Sequence, residues 1–207
     1  MALTQINTRS LSGTLTASQY PIASNDLPAG AILQTIVQAP ATLAAYNSTT
    51  AKLLQCDLVT KGLNSHFLLE CSVSYGSPST DLNNDSHDVS FAFGQKLTSA
   101  ADTTVTKVSG QPTNTRHNFA GTQMTTGSAW YQTDVPFNPN RSATHGGAYD
   151  TMNQQHSFLD TTRSFAIGTA VSYSLWMYCQ TNFYFNRVRY SVDNCATSYL
   201  ILREIKA

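Results

Sequence analysis

Apolar and polar residues alternate most regularly near the C-terminus, between residues 170 and 205. Because successive side chains of a strand point to opposite faces, one side of the first run there is wholly apolar, while the other carries hydroxyl, amide and aromatic groups. The apolar side holds Val171, Tyr173, Leu175, Met177 and Cys179. Further runs follow over 183–190 and 199–205. The pattern predicts three strands joined as an antiparallel meander that packs on a second layer.

Upstream, five segments carry strand patterns of the same kind, over 31–38, 53–60, 66–75, 88–96 and 149–160. Residues 39–50 are predicted to be a loop or a short edge strand, and residues 97–127 a loop with one or two short strands. No segment shows a sustained helical period. Roughly eight to ten strands with polar connections predict an all-β fold, an antiparallel β-sandwich of jelly-roll type.

Residues 1–29 differ from the rest, because their few apolar residues are spread among Thr, Ser, Asn and Gln. Such a segment buries too little apolar surface to form a core. The sequence therefore predicts an N-terminal anchoring arm over 1–29 and a β-sandwich knob domain over 30–207. A terminus without fixed structure is the alternative. The side chains expected to anchor the arm are Leu3, Ile6, Leu11 and Leu15.

Charged residues are scarce: 12 Lys and Arg balance 12 Asp and Glu. Together they make up 12% of the chain, against roughly 25% in an average soluble protein. With no net charge and no basic stripe, nucleic-acid binding is not expected. No apolar run reaches the ~18 residues of a membrane-spanning helix, and no secretory signal pattern is present at the N-terminus. The chain is therefore expected to fold in the cytosol without inserting into a membrane.

The four cysteines, Cys56, Cys71, Cys179 and Cys195, show no Cys-x-x-Cys spacing, and three of them fall within predicted strands. Buried free thiols are the favoured interpretation, because an unpaired cysteine packs as a small apolar residue. A disulfide or a zinc site stays open as an alternative without support from the spacing.

Five strand sequences follow one another as in structural proteins of aquatic bacteriophages, which the chain resembles: GAILQTIVQ over 30–38, FLLECSVSY over 67–75, FAF over 91–93, SFLD over 157–160 and TSYLILREI over 197–205. In that family a GxVLQ strand opens the domain, an SFLD or NYLD strand comes late, and the last strand ends in EI. The start MALTQI is also similar to fibre-type N-termini.

The resemblance implies a virion surface protein. Its expected form is a homotrimeric β-sandwich knob on a tail fibre, or a decoration protein of the capsid, tied to the particle by the arm. The chain departs from long fibres because residues 1–29 are too short for a coiled-coil or β-helical shaft. Paired apolar residues at 53–54 and 68–69, which fall on both faces of predicted strands, add support for a trimer.

No catalytic motif is present, and the Gly-x-Ser-x-Gly pattern of a nucleophile elbow is absent from the sequence. A glycosidase needs two carboxylates at a defined separation, which only folding could bring together here. The acidic residues in or near predicted loops are Asp81, Asp85, Asp88, Asp134, Asp150 and Asp160. We therefore expect a non-enzymatic protein without a cofactor.

One predicted loop carries alternating oxygen ligands, Asp81, Asn83 and Asp85, similar to the start of a calcium-binding loop. Ser86 replaces the usual glycine, and Ala92 stands at the position of the bidentate glutamate. A solvated turn rich in Asn and Asp is therefore the favoured alternative to a metal site.

The candidate ligand-binding residues form an aromatic and amide-rich stretch: Trp130, Tyr131, Phe137, Asn138, Asn140, Arg141 and Tyr149. Aromatic rings stack on the C–H groups of sugars, while amide and guanidinium groups hydrogen-bond sugar hydroxyls. The same residue types are also enriched at protein interfaces. Contact with a glycan, a subunit interface and a lid over the sandwich all stay open.

Together these observations predict a non-enzymatic bacteriophage virion structural protein. The first hypothesis is a short tail fibre or knob that contributes to host-surface glycan recognition. The alternatives are a capsid decoration protein that stabilises the phage head and a lectin-like carbohydrate-binding domain. The expected partners are further copies of the chain in a homotrimer, other virion proteins such as a capsid or tail adaptor, and a host glycan. The expected location is the virion surface, after assembly in the host cytoplasm.

Overall fold

The computed structural model describes residues 26–40, 44–46, 49–76, 89–109, 151–179, 183–188, 191–195 and 197–207. Within these residues it contains β-strands, one turn of 3-10 helix at Asp102–Thr104, and no helix long and apolar enough to cross a membrane. In chain order the strands are β1 (Ile32–Gln38), β2 (Ala44–Tyr46), β3 (Thr49–Val59), β4 (His66–Gly76), β5 (Val89–Leu97), β6 (Thr106–Lys107), β7 (Thr151–Asp160), β8 (Ala170–Cys179), β9 (Phe183–Phe185), β10 (Arg187–Val188), β11 (Ser191–Cys195) and β12 (Tyr199–Ile205).

Two antiparallel sheets form the two layers of the fold. In the first sheet β12 lies between β1 and β4, β7 pairs with the other edge of β4, and the short β9 and β2 continue the sheet beyond the end of β12. In the second sheet β8 lies between β3 and β5, and β6 pairs with β5. β10 and β11 form a separate antiparallel pair.

The chain passes between the two sheets in the order of a jelly roll. When the short β2, β9, β10 and β11 are left aside, β1, β4, β7 and β12 form the first sheet, and β3, β5, β6 and β8 form the second. Strands far apart in sequence therefore become neighbours, as β1 and β12 do, which is how two Greek keys wrap around one core. The predicted fold class, an antiparallel sandwich of jelly-roll type, is confirmed.

The core lies between the inner faces of the two sheets. Its principal side chains from β4, β8 and β12 are Phe67, Leu69, Cys71, Val73, Val171, Tyr173, Leu175, Met177, Leu200 and Leu202. The ring centroid of Phe67 lies 5.1 Å from that of Tyr173 and 5.8 Å from that of Phe165. Burial of a large apolar side chain contributes about 1.5–3 kcal/mol. This layer of apolar contacts therefore supplies the main stabilisation of the fold.

The predicted C-terminal meander is wrong. β8 pairs with β3 and β5, whereas β12 pairs with β1 and β4, so the two long strands lie in opposite layers. The run predicted as one strand over 183–190 is divided into β9 and β10 at Asn186, whose φ of 61° is in the left-handed region. Its side chain offsets this strain by donating to the Pro40 carbonyl at 2.8 Å and accepting from the Ser198 N–H at 2.9 Å.

The other strand predictions are confirmed with shifted ends. β3 begins earlier than predicted, at Thr49, while β2 and β6 are the short strands expected within 39–50 and 97–127. Of the predicted arm, residues 1–25 lie outside the described residues. The chain enters β1 beside the end of β12, where the Gly30 N–H donates to the Lys206 carbonyl at 2.8 Å and the Lys206 N–H donates to the Ala31 carbonyl at 2.9 Å.

Two of the four cysteines, Cys56 and Cys71, are free and buried, as predicted. Burial raises the pKa of the Cys56 thiol to about 11 and that of Cys71 to about 12, because the thiolate would lose its hydration in the core. Both cysteines therefore stay in the unreactive thiol form at neutral pH. The side chains of Cys179 and Cys195 lie outside the described part of the structure.

Alkylation by iodoacetamide is expected to spare Cys56 and Cys71 in the folded protein near pH 8 and to reach both in urea. The thiolate is the nucleophile, and the raised pKa removes it from the folded state. Peptide mass spectrometry after a timed reaction locates the label, so reaction elsewhere in the chain does not confuse the result. Equal labelling of Cys71 with and without urea would contradict the buried position.

Candidate interaction surface

The outer face of the first sheet is built by alternation along β12 and along the first half of β4. In β12 the even-numbered residues are buried, while the odd-numbered residues turn outward. Strand pairing places Ile201 beside Val37 of β1 and beside Glu70 of β4, and it places Leu68 between Arg203 and Leu159. The outward side chains of four strands therefore form one continuous surface.

Much of this surface is aliphatic. We call it the aliphatic face, and it consists of Ile32, Val37, Leu68, Leu159, Ile201 and Ile205. Ile32 is 55% exposed, Val37 57% and Leu159 46%, although all three are large apolar side chains. The open side of an antiparallel sheet is usually polar. A contiguous apolar patch on it is typical of a contact surface.

The charges on this surface cancel each other. Arg203 forms an ion pair with Glu70 on the neighbouring strand, and both side chains remain partly exposed. In the described strands of the first sheet, these are the two oppositely charged side chains on the outer face, and His66 is the titratable group beside them. The face therefore presents no field that would attract a highly charged partner.

A shallow depression of about 270 Å³ lies at the polar end of the same surface. It is lined by Glu70, Cys71, Gln155, His156, Ser157 and Tyr199. A phenol ring beside a carboxylate, an amide and a hydroxyl provides both a stacking surface and hydrogen-bonding groups.

His156 lines this depression from β7 and stacks on Phe93 of the second sheet, with ring centroids 5.9 Å apart and 22° between the planes. Burial lowers the pKa of His156 from its ordinary 6.5, because the imidazolium would lose hydration. The folded protein therefore holds His156 in its neutral form at neutral pH.

Stability is expected to fall as the pH drops from about 7 to about 5, and His156 is expected to cause part of that fall. The lowered pKa means that the unfolded chain takes up the proton at a higher pH than the folded protein does. Urea unfolding across this range measures the effect in the parent and in His156→Gln. A variant with the same pH dependence as the parent would show that another group is responsible.

The outer face of the second sheet is different in character. Asp102, in the 3-10 turn, lies 2.6 Å from the Lys52 ammonium and 3.1 Å from that of Lys96. The hydrogen bond from Lys52, followed by that from Lys96, lowers the pKa of Asp102. On β8, Trp176 is fully buried and donates to the Ser174 hydroxyl at 2.8 Å. This face carries a charged network, so the two outer faces of the sandwich are unlike.

Two buried carboxylates have structural partners that the sequence pattern did not reveal. Glu204 is fully buried on the inner side of β12 and accepts from the Lys61 and Gly62 N–H groups and the Ser65 hydroxyl, each within 2.8–3.0 Å. The Gln34 amide also donates to it at 2.5 Å. Glu204 thereby holds the β3–β4 connection against the last strand.

Asp160 is the second buried carboxylate, and it ends β7. It accepts from the Tyr173 hydroxyl at 2.9 Å and from the N–H and hydroxyl of Thr162 at 2.9 and 2.8 Å. Burial, followed by the neighbouring charge of Asp160, raises the pKa of Tyr173 far above its ordinary value. Asp160 was one of the acidic residues that a glycosidase could have used, and here it closes a turn against the core.

The residues predicted for metal and ligand binding lie outside the described part of the chain. These are Asp81, Asn83 and Asp85, then Trp130, Tyr131, Phe137, Asn138, Asn140, Arg141 and Tyr149, and on the arm Leu3, Ile6, Leu11 and Leu15. They stay predictions. Among the described residues, no three His, Cys, Asp or Glu side chains come together as a metal site would require.

The described strand ends do show where two of these segments join the sandwich. Gly76, which ends β4, pairs with Thr151, which begins β7. The Tyr75 ring lies 5.5 Å from that of Phe91 near the start of β5, and β6 runs antiparallel to β5. The end of β4 and the starts of β5 and β7, between which the predicted metal and ligand residues fall in the sequence, therefore lie at one end of the jelly roll.

Neither a protein-family model nor a curated protein matches the chain. Among solved structures, it is similar to the infectious bursal disease virus Gx strain with 7% identity and a TM-score of 0.26, over 84% of this chain and 37% of that one. It is also similar to the CBM22-1 xylan-binding domain of Paenibacillus barcinonensis Xyn10C, with 12% identity and a TM-score of 0.22. That similarity covers 87% of this chain and 99% of the xylan-binding domain. The chain spans less than two fifths of the viral chain. TM-scores of this size are too low to establish a common fold or function.

Proposed function

We propose that this protein is a non-enzymatic structural component of a bacteriophage virion surface. In this proposal it is a short tail fibre or knob that attaches by residues 1–29 and contributes to glycan recognition on the host. The observation that carries the proposal is the jelly-roll sandwich with an aliphatic outer face on a chain of zero net charge. Jelly rolls are frequent in viral shells and in lectins, so the fold accommodates both assembly and sugar binding.

The partners of three described carboxylates, of which Glu204 and Asp160 are buried and Asp102 is exposed, support a non-enzymatic role. Glu204 and Asp160 are surrounded by donors from their own chain, and Asp102 is engaged by two lysines. General acid and base catalysis needs a carboxylate that can reach a substrate proton. These three groups instead serve the fold.

The order of strand motifs supports the assignment to bacteriophage particles. The sequences that resemble phage structural proteins fall on β1, β4, β5, β7 and β12, which are core strands of the jelly roll. A capsid decoration protein that stabilises the head is the alternative within the same class. It would use the same sandwich and arm, and would differ only in the site at which the arm is held.

Immunogold electron microscopy of intact particles, with an antibody raised against residues 30–207, tests this proposal. Gold confined to the tail is the expected result for a fibre or knob, and the isolated protein should then block adsorption. Gold scattered over the head would support the decoration alternative, and shell stability to heat would become the functional assay. Particles that carry no label would contradict the virion assignment.

A lectin-like domain is a second candidate function, favoured by the depression beside Tyr199. Binding to an immobilised glycan panel, compared between the parent and Tyr199→Ala, tests it. The expected result for a lectin at this site is binding by the parent and at least a tenfold loss in the variant, about the effect of one lost aromatic contact. Equal binding by both proteins would exclude the depression as the sugar site.

A further inference from the structure

The aliphatic face has no covering layer among the described residues, and the two charged side chains beside it, Arg203 and Glu70, pair with each other. We propose that a second copy of this chain docks on it. The same face on both copies makes the contact isologous, so it closes as a dimer around a two-fold axis. The inference therefore goes beyond the proposed function, and the homotrimer expected from the sequence would need a second surface.

The position of the face suits packing of sheet on sheet. Ile201 and Leu68 are on the two central strands β12 and β4, while Val37 and Leu159 are on the flanking strands β1 and β7. The aliphatic side chains therefore span the full width of the sheet. The inward side chains of this sheet pack against the second sheet, and its outward aliphatic side chains would pack in the same way against the sheet of a second copy.

The two charges beside the face are arranged so that a second copy of the same surface is complementary to them. Arg203 and Glu70 lie on adjacent strands, so a copy of the same surface presents one positive and one negative group in the same arrangement. Two such surfaces can meet with opposite charges opposed and like charges apart. A strongly acidic or basic partner would find no net charge to pair with. A second copy is therefore the partner that the charge pattern fits.

Other exposed aliphatic side chains serve as matched controls, because they lie away from this face. Ile167 is 55% exposed, close to the 57% of Val37, and it belongs to the connection between β7 and β8. A lysine at either position faces solvent equally in a monomer. Only the lysine at position 37 would enter the proposed interface.

Sedimentation equilibrium of the purified full-length chain tests the proposal, with Val37→Lys, Leu159→Lys and Ile167→Lys compared with the parent. We expect the parent to self-associate at micromolar concentration. Each of the two face variants should weaken association at least about 30-fold, because the lysine would bury an unpaired charge in an apolar interface, while Ile167→Lys should stay within about threefold of the parent. Thermal unfolding followed by circular dichroism confirms that each variant is folded.

A charge exchange provides a second, independent measurement. Glu70→Arg alone places two positive groups on each face and is expected to weaken association, whereas Glu70→Arg combined with Arg203→Glu should restore it. A double variant that stays dissociated would overturn the charge argument.

A parent that is monomeric at roughly 100 μM, for instance because residues 1–25 of its own chain cover the face, would overturn the proposal. So would an Ile167→Lys variant that dissociates as fully as Val37→Lys. Sedimentation is measured on the isolated protein and labelling on the particle. A monomeric protein found on virions would therefore reject this inference alone, and a self-associating protein absent from virions would reject only the proposed function.

Discussion

Replacement of Phe67 by alanine is expected to lower the free energy of unfolding by about 4 kcal/mol. Phe67 is fully buried in the core and contacts the ring of Tyr173 from the opposite layer and that of Phe165 from the connection between β7 and β8. Its removal loses the transfer free energy of the ring and leaves a cavity, because the flanking strands are held in register and cannot close around it. Urea unfolding at one fixed protein concentration measures the change, which keeps any self-association constant.

The matched control is Phe67→Leu, which keeps most of the apolar volume and loses the ring contacts. It is expected to cost about 1.5 kcal/mol. A loss below about 1 kcal/mol for Phe67→Ala would mean that the two sheets close over the site, and the tight packing described for this core would be wrong.

Replacement of Glu204 by glutamine is expected to lower the free energy of unfolding by about 3 kcal/mol. The carboxylate accepts from two backbone N–H groups and the Ser65 hydroxyl at a buried site. An amide of the same shape turns an NH₂ group toward these donors, so at least one buried donor loses its acceptor. The connection is closely packed here, since a Cβ at Gly62 would lie 2.3 Å from Ser65 Oγ.

Glu70→Gln on the aliphatic face is the matched control for Glu204→Gln. Glu70 is partly exposed, and water can replace its partner, so a loss of at most about 1 kcal/mol is expected. Chemical unfolding of both variants at neutral pH, under identical conditions, gives the comparison. Equal losses for the two variants would mean that the buried carboxylate has no special role in holding the connection between β3 and β4.

The candidate surface was only partly accessible to sequence reasoning. Leu68, Ile201 and Leu159 all lie in segments whose strand character was predicted, and the pair at 68–69 showed that this strand is apolar on both faces. That these residues share one surface could not be predicted, because it depends on β12 inserting between β1 and β4.

The leucines at 53 and 54 were wrongly interpreted as residues on opposite faces of one strand. The pairing of β3 with β8 shifts register between Lys52 and Leu54, and both leucines contact the core. This pair therefore reflects a bulge rather than a strand that is apolar on both faces.

The sequence by itself determined most of the strands and the apolar faces of β4 and β8, because the alternation of apolar and polar residues along a strand is a local property of the chain. It also determined the class of fold, since so many short strands without helical segments leave few ways to build a core. The tertiary structure alone decided which strands are neighbours. Pairing across the sheet joins residues such as Val37 and Ile201, far apart in the chain, and no local pattern records which partner a strand takes. For the same reason the acceptor role of Glu204 and the exposure of the aliphatic face appear only once the two layers are assembled.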